Sequence, residues 1–109
     1  MKDDDALAAL AALAHPTRLA TFRLLVRHEP DGLTTGQLVE AIDLSQSTFS
    51  THLAVLVKAG LVKAERRGRN NVQRADIDAL RALMVFLVKD CCHGRADLRE
   101  PLLTELACC

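Results

Sequence analysis

Aromatic side chains are almost missing from this sequence, which has three Phe and neither Trp nor Tyr among its 109 residues. A core built without them has to be mainly Leu, Val and Ala, a composition that suits helix packing better than a β-sandwich. Catalytic signatures are missing too. There is no Cys-x-x-Cys, no Gly-rich phosphate loop, no pair of catalytic carboxylates and no serine-triad signal. Asp97 and Leu98 stand where a phosphatase-like reductase loop needs its arginine, counted from Cys91 and Cys92. A thiol oxidoreductase or arsenate reductase is therefore not expected, nor is an organic cofactor.

Long hydrophobic runs are lacking as well. The stretch from Ala6 to Ala14 is far too short to span a membrane. Asp3, Asp4 and Asp5 precede it, whereas a secretion signal starts positive. Those carboxylates instead complement the positive end of a helix dipole. We expect a cytoplasmic protein with no membrane partner, and a first helix whose Leu7, Leu10 and Leu13 pack on a neighbour as a dimer contact. A chain this small buries only ~60–70% of its unfolded surface, which also favours a homodimer. No repeat or low-complexity linker interrupts it.

Most of the information lies between Thr34 and Arg74. One helical pattern runs to about Asp43, breaks at Leu44-Ser45, and gives way to a second from Gln46 to Ala59, with Ser45 as N-cap and Gly60 at C′. On the second helix Phe49, Leu53, Leu56 and Val57 share an apolar stripe. Gln46, Ser47, Thr48, Ser50, Thr51 and His52 are left to the outside. A solvated helix usually shows Lys and Glu there; these short donors and acceptors can reach base edges. The segment LVKAERRGRNNVQRAD then alternates and turns around Gly68, Asn70 and Asn71, whose types tolerate positive φ. Its tip carries Arg66, Arg67 and Arg69.

The charge balance of 14 Lys and Arg against 14 Asp and Glu is therefore a sum of unlike regions. From Ser45 to Ala75, Lys58, Lys63, Arg66, Arg67, Arg69 and Arg74 face one acid, Glu65, the footprint of phosphate contact. Two helices, a turn and a basic hairpin predict a mainly α, dimeric winged helix-turn-helix that binds double-stranded operator DNA.

Around that unit, His15-Pro16 starts another helix. Its Leu19, Phe22, Leu25 and Val26 are expected in the core, and its Arg18, Arg23 and Arg27 on a solvated face. A last long helix from about Asp76 to Asp90 carries Ile77, Leu80, Leu83, Met84, Leu87 and Val88, a stripe wide enough for both the core and a second subunit. We divide the chain into a DNA-binding and dimerisation domain, 1–90, and a cysteine-bearing tail, 91–109.

LAHPTRLATFRLL followed by SQSTFSTHLAVLVKAGLVKAERRGRNN resembles the ArsR/SmtB family of bacterial metal- and metalloid-responsive repressors, over roughly Ala6 to Asp90. The resemblance implies a winged helix-turn-helix repressor released from its operator by a thiophilic ligand. Where the family usually has two adjacent histidines in the reading helix, this chain has Thr51 before His52.

The cysteines form two adjacent pairs, Cys91-Cys92 and Cys108-Cys109. Adjacent residues hold their Cα atoms ~3.8 Å apart, short of the ~4.4–6.8 Å of a relaxed disulfide, and a reducing compartment disfavours bridges further. Thiolates select soft acceptors such as copper(I), zinc, cadmium, trivalent arsenic or antimony. Trivalent arsenic takes three thiolates in a pyramid, while zinc sites usually space their cysteines more widely. Arsenic-responsive members of the family carry a similar Cys-Cys-His-Gly stretch at the end of the last helix, with a third cysteine shortly after. Here Leu98 or a neighbour occupies the matching position, so the third thiol is expected from Cys108 or Cys109, with His93 as a further candidate ligand. Arsenite, or else antimonite, is the expected inducer. A repressor answering to another soft metal, or to thiol oxidation, is the alternative.

Overall fold

Every well-formed helix start in this chain has a chemical reason. A computed structural model of the chain describes residues 1–92 and 96–107; for residues 89–92, 96–99 and 107 it describes the backbone alone. Helix α1, Asp3–Leu13, opens with three aspartates in its first turn, and the Lys2 backbone N–H donates to Asp5 Oδ2. Helix α2, Pro16–Arg27, follows His15, whose Nδ1 accepts from the Thr17 N–H at 3.1 Å. Strand β1, Leu33–Thr34, leads into α3, Thr35–Ile42, through a reciprocal box. There the Gln37 N–H donates to Thr34 Oγ1, and the Thr34 N–H to Gln37 Oε1. Asp43, left-handed at φ 60°, ends α3. Ser45 then caps α4, Gln46–Lys58, as its sequence position predicts.

After Gly60 come strands β2, Val62–Arg67, and β3, Asn70–Ala75, and then α5, Ile77–Cys92, and α6, Ala96–Ala107. The strands form one antiparallel sheet in the order β1-β3-β2. Arg67 pairs with Asn70, so Gly68 and Arg69 make a two-residue turn. Positive φ is used at Gly68 alone of these residues, so the asparagines flank the turn and do not form it. β1 adds Leu33 opposite Gln73 and Thr34 opposite Val72, a third strand the sequence pattern did not announce.

The core gathers Phe22, Leu25, Leu38, Phe49, Leu53, Leu56, Leu61 and Leu83, with Ala6, Ala9 and Ala12 of α1. The buried face of α1 is its alanine face; Leu7 and Leu10 are 64% and 41% exposed, as a helix that offers leucines to a neighbour requires. Alanine lets the helix approach closely, and the leucines point away from their own subunit. Two expectations on other helices are corrected. Leu19 is exposed, and the α2 stripe is completed by Thr21, whose hydroxyl is satisfied by donating to the Thr17 carbonyl at 2.7 Å. Val57 is exposed as well, at the edge of the α4 stripe.

On α5, Leu83 is buried while Met84, Val85 and Leu87 are exposed, so the wide stripe serves the core along one edge only. α1 packs against α5, which brings the exposed apolar residues of both helices onto neighbouring surfaces. The boundary placed at residue 90 falls inside α5, and most of the segment beyond it is the helix α6, packed on α5. His93, Gly94, Arg95, Cys108 and Cys109 lie outside the described residues.

Candidate nucleic-acid interface

Phe49, Leu53 and Leu56 fasten one side of α4 to the core. With ~100° between successive residues, the side opposite is led by Ser47, Thr51, Ala54 and Lys58, flanked by Ser50 and Val55. An open hollow of about 510 Å³ lies along this face, lined by Ser50, Thr51, Ala54, Val55 and Lys58. Ser47, Ser50 and Gln46 are exposed, and their side chains make no hydrogen bond among the described residues. Thr51 donates to the Ser47 carbonyl at 3.2 Å, which leaves its oxygen free to accept. Thr48 is otherwise engaged: its hydroxyl meets Ser45 Oγ at 2.9 Å in the N-cap. Ala54 and Lys58 belong to the outward set through their helical spacing from Ser47 and Thr51, a signal that polarity alone hides. An alanine there offers the small apolar contact that suits a thymine methyl.

His52 departs from its neighbours. It is half-buried, turned toward α2, with its ring centroid 4.3 Å from that of His15 at 36° between planes. Arg18 Nη1 lies 3.2 Å from His52 Nδ1, and Arg18 Nε donates to the Ala12 carbonyl at 2.6 Å. Arg18 is thus no member of a solvated face, which corrects the sequence reading. A guanidinium only donates, so Nδ1 accepts and the ring proton sits on Nε2. Burial, and after it the charges of His15 and Arg18, hold the His52 pKa below the usual histidine range.

The wing is more tightly tied than its composition indicates. Arg67 Nη2 and Nε donate to Glu65 Oε2 at 2.8 and 3.1 Å, and Nη1 donates to the Asp31 carbonyl at 2.9 Å. Arg66 reaches the Gly68 carbonyl at 3.4 Å. Arg69 is exposed at the tip and makes no hydrogen bond among the described residues. At the other end of β3, Arg74 forms a two-pronged pair with Glu29, and its hydrogen bonds hold the Glu29 carboxyl below its usual range. Glu29 lies outside the segment over which sequence counting found a basic excess. The patch therefore rests on Lys58, Lys63, Arg66 and Arg69, with Arg67 and Arg74 already paired to carboxylates.

Cys91 and Cys92 are the last residues of α5, and their side chains, like Cys108 and Cys109, fall outside what the structure describes. Among the described residues no helix is long and apolar enough to cross a membrane.

This arrangement, an exposed polar helix presented beside a short turn-forming helix and a β-hairpin, defines a winged helix-turn-helix nucleic-acid reader. A helix-turn-helix domain model matches residues 13–65. The chain is 38% identical over 56 residues to the uncharacterized HTH-type transcriptional regulator YbzH of Bacillus subtilis, covering 51% of this chain and 56% of that protein. It is 34% identical over 70 residues to an uncharacterized HTH-type transcriptional regulator of Methanocaldococcus jannaschii, covering 64% of this chain and 76% of the relative. Among solved structures, a possible transcriptional regulator for arsenical resistance superposes with TM-score 0.63 at 29% identity, over 88% of this chain and 94% of the other. The homodimeric winged helix-turn-helix DNA-binding domain of a possible ArsR-family regulator from Mycobacterium bovis gives 0.64 at 25% identity, over 85% and 90%. The chain belongs to the HTH-type transcriptional regulators, and it shares the winged helix-turn-helix fold of solved structures described as possible ArsR-family or arsenical-resistance regulators. Both curated relatives are described as transcriptional regulators.

Proposed function

We propose that this protein is a homodimeric repressor that binds double-stranded operator DNA and lets go when trivalent arsenic, or antimony, binds its C-terminal cysteine thiolates. The observation that carries the DNA reading is the outward face of α4. Gln46, Ser47, Ser50 and Thr51 are short, exposed and uncharged on a helix rigidly seated by Phe49, while Lys58 and the wing's Arg69 stand ready for phosphate. Thr48 serves the helix start. Arg67 supports the wing from its Glu65 and Asp31 contacts and reaches the backbone through the same hairpin.

The homodimer is supported by the exposed Leu7, Leu10, Met84, Val85 and Leu87 on the adjoining helices α1 and α5, and by the homodimeric Mycobacterium bovis neighbour. The inducer reading rests on the donor set: adjacent thiols Cys91 and Cys92, with Cys108 or Cys109 as third, match the soft, three-coordinate demand of trivalent arsenic. A structural neighbour at 29% identity is described as a possible regulator for arsenical resistance, which agrees with that choice. α5 carries both the first cysteine pair and part of the exposed apolar face. A helix sets consecutive residues ~100° apart, so drawing both thiolates to one atom requires the final turn to unwind. That disturbance would begin on the proposed dimer contact and change the spacing of the two reading helices.

The test is a gel-shift titration of a selected duplex with arsenite, antimonite, zinc, cadmium and peroxide in parallel. Release by arsenite or antimonite alone is expected, and Cys91→Ser or Cys92→Ser should keep DNA binding but lose release. Release by zinc, cadmium or peroxide with arsenite inert would replace the inducer reading and leave the DNA reading standing.

A further inference from the structure

α4 owes its seat on the protein to more than apolar packing. Arg18 bridges three elements: it donates through Nε to the Ala12 carbonyl at the end of α1, it belongs to the first turn of α2, and its Nη1 meets His52 Nδ1 on α4. His15 closes the cluster from the other side, its ring over His52 and its Nδ1 occupied by the Thr17 N–H. Both imidazole Nδ1 atoms therefore act as acceptors, and both have to be unprotonated for the cluster to hold.

We infer that Arg18 is a positioning residue for the DNA-reading helix, acting through His52, and that this clamp makes DNA affinity fall on acidification. The inference rests on the proposed DNA reading by α4. Adding a proton to His52 Nδ1 turns the acceptor of Arg18 Nη1 into a donor, and sets two cations within hydrogen-bond distance in a half-buried place. The contact becomes repulsive, and α4 loses its polar tie to α1 and α2 while its apolar stripe remains.

Among the described residues, the charged and titratable groups acting on His52 are His15 and Arg18. α1 faces the cluster with the Ala12 carbonyl, and its Asp3, Asp4 and Asp5 sit at the opposite end of that helix. β2, which also packs on α4, contributes none of Lys63, Glu65, Arg66 or Arg67 to it. Among the described residues no carboxylate acts on His52 to stabilise a histidinium. The sign follows: folding the clamp favours neutral His52, so its contribution is whole above the ordinary histidine range and is lost as the pH falls below that range. Histidines placed near phosphates would do the reverse and raise affinity in acid, so a fall is diagnostic.

Two measurements test this on the full chain. The first is an NMR titration of the histidine rings in the protein without DNA. His52 is expected as the Nε2–H tautomer, protonating below the ordinary range; an Nδ1–H tautomer, or ordinary titration, would overturn the clamp. The second is fluorescence anisotropy with a labelled duplex recovered by the protein from a randomised pool. Wild-type affinity should fall about tenfold between roughly pH 7.5 and pH 5.5, as the clamped fraction shrinks. His52→Asn, which keeps an oxygen acceptor near Nδ1 and cannot titrate there, should change less than about threefold over that interval. Arg18→Met should bind more weakly at neutral pH and show the same flattened profile. A His52→Asn profile that tracks the wild type would overturn the clamp with the DNA reading intact. Recovery of no preferred duplex would overturn the DNA reading itself, and the proposal with it.

Discussion

Glu29 and Arg74 are 45 positions apart in the chain and meet as a fork, Nε to Oε1 at 3.1 Å and Nη2 to Oε2 at 2.8 Å. The pair ties the segment after α2 to β3, and Arg74 Nη1 lies 3.6 Å from Glu65 Oε2 besides. Because Arg74 depresses the Glu29 pKa, the carboxylate's contribution is complete above the ordinary value of 4.5 and is lost as the pH falls through the lowered one. Glu29→Gln should therefore lower the urea midpoint near neutrality and leave stability less dependent on pH in the acid range. A variant that keeps the wild-type acid slope would show that the pair adds nothing to stability.

Gly32 and Gly60 both sit at positive φ, +73° and +82°, yet substitution should affect them unequally. A Cβ at Gly32 would stand 2.6 Å from the Gln73 carbonyl oxygen and 2.6 Å from Val72 Cγ1, while one at Gly60 meets nothing within 4 Å. Gly60→Ala is expected to cost about 1–2 kcal/mol, the conformational term alone. Gly32→Ala should exceed that by roughly 1–3 kcal/mol, because β1 has to move off β3. Equal shifts in denaturant midpoint would contradict the close approach of these strands.

The wing arginines should separate in a salt titration of DNA binding. Arg69→Ala, removing a cation engaged by nothing among the described residues, should weaken binding to all sequences and reduce the salt slope by about one. Arg67→Ala should change the slope less. Its larger effect is expected in amide exchange at Asn70 and Asn71, which speeds up once the hairpin loses its hold on Asp31. By contrast Ser50→Ala should alter sequence preference with little change in slope.

Exposed leucines on α1 make the dimer prediction specific. Leu7→Glu combined with Val85→Glu touches none of the buried core, so the subunit fold should survive while sedimentation at micromolar concentration shifts from dimer to monomer. The melting temperature should also stop depending on protein concentration. An intact dimer in the double variant would place the interface elsewhere.

Local signals in the sequence were easy to read. Ser45 as a cap, Gly60 after the helix and the stripe of Phe49, Leu53 and Leu56 all follow from periods and offsets within one element, and the structure reproduces them. What stayed hidden was set by contacts between distant segments. Arg18 looks like a solvated arginine until His52 is brought to it from 34 positions away, and Arg74 counts toward a basic patch until Glu29 arrives. On α1 the exposed leucines agree with the expected outward use, whereas the buried alanine face, selected by close helix packing, carried no polarity signal. β1, at two residues, is too short to carry any alternation. The outward residues of α4 were legible by polarity, but Ala54 emerges only from the angle it occupies.

Helix α2 holds both halves of the proposed DNA surface. Its N-terminal end grips α4 through His15 and Arg18, and the residues just past its C-terminal end, Glu29, Pro30 and Asp31, grip the hairpin through Arg74 and Arg67. Its 12 residues amount to a bar of ~18 Å. The separation between groove-reading helix and wing is thus gauged by a rigid element packed against both, so lengthening or bending that bar would miscalibrate the grip on a duplex while leaving every proposed DNA-contacting side chain in place.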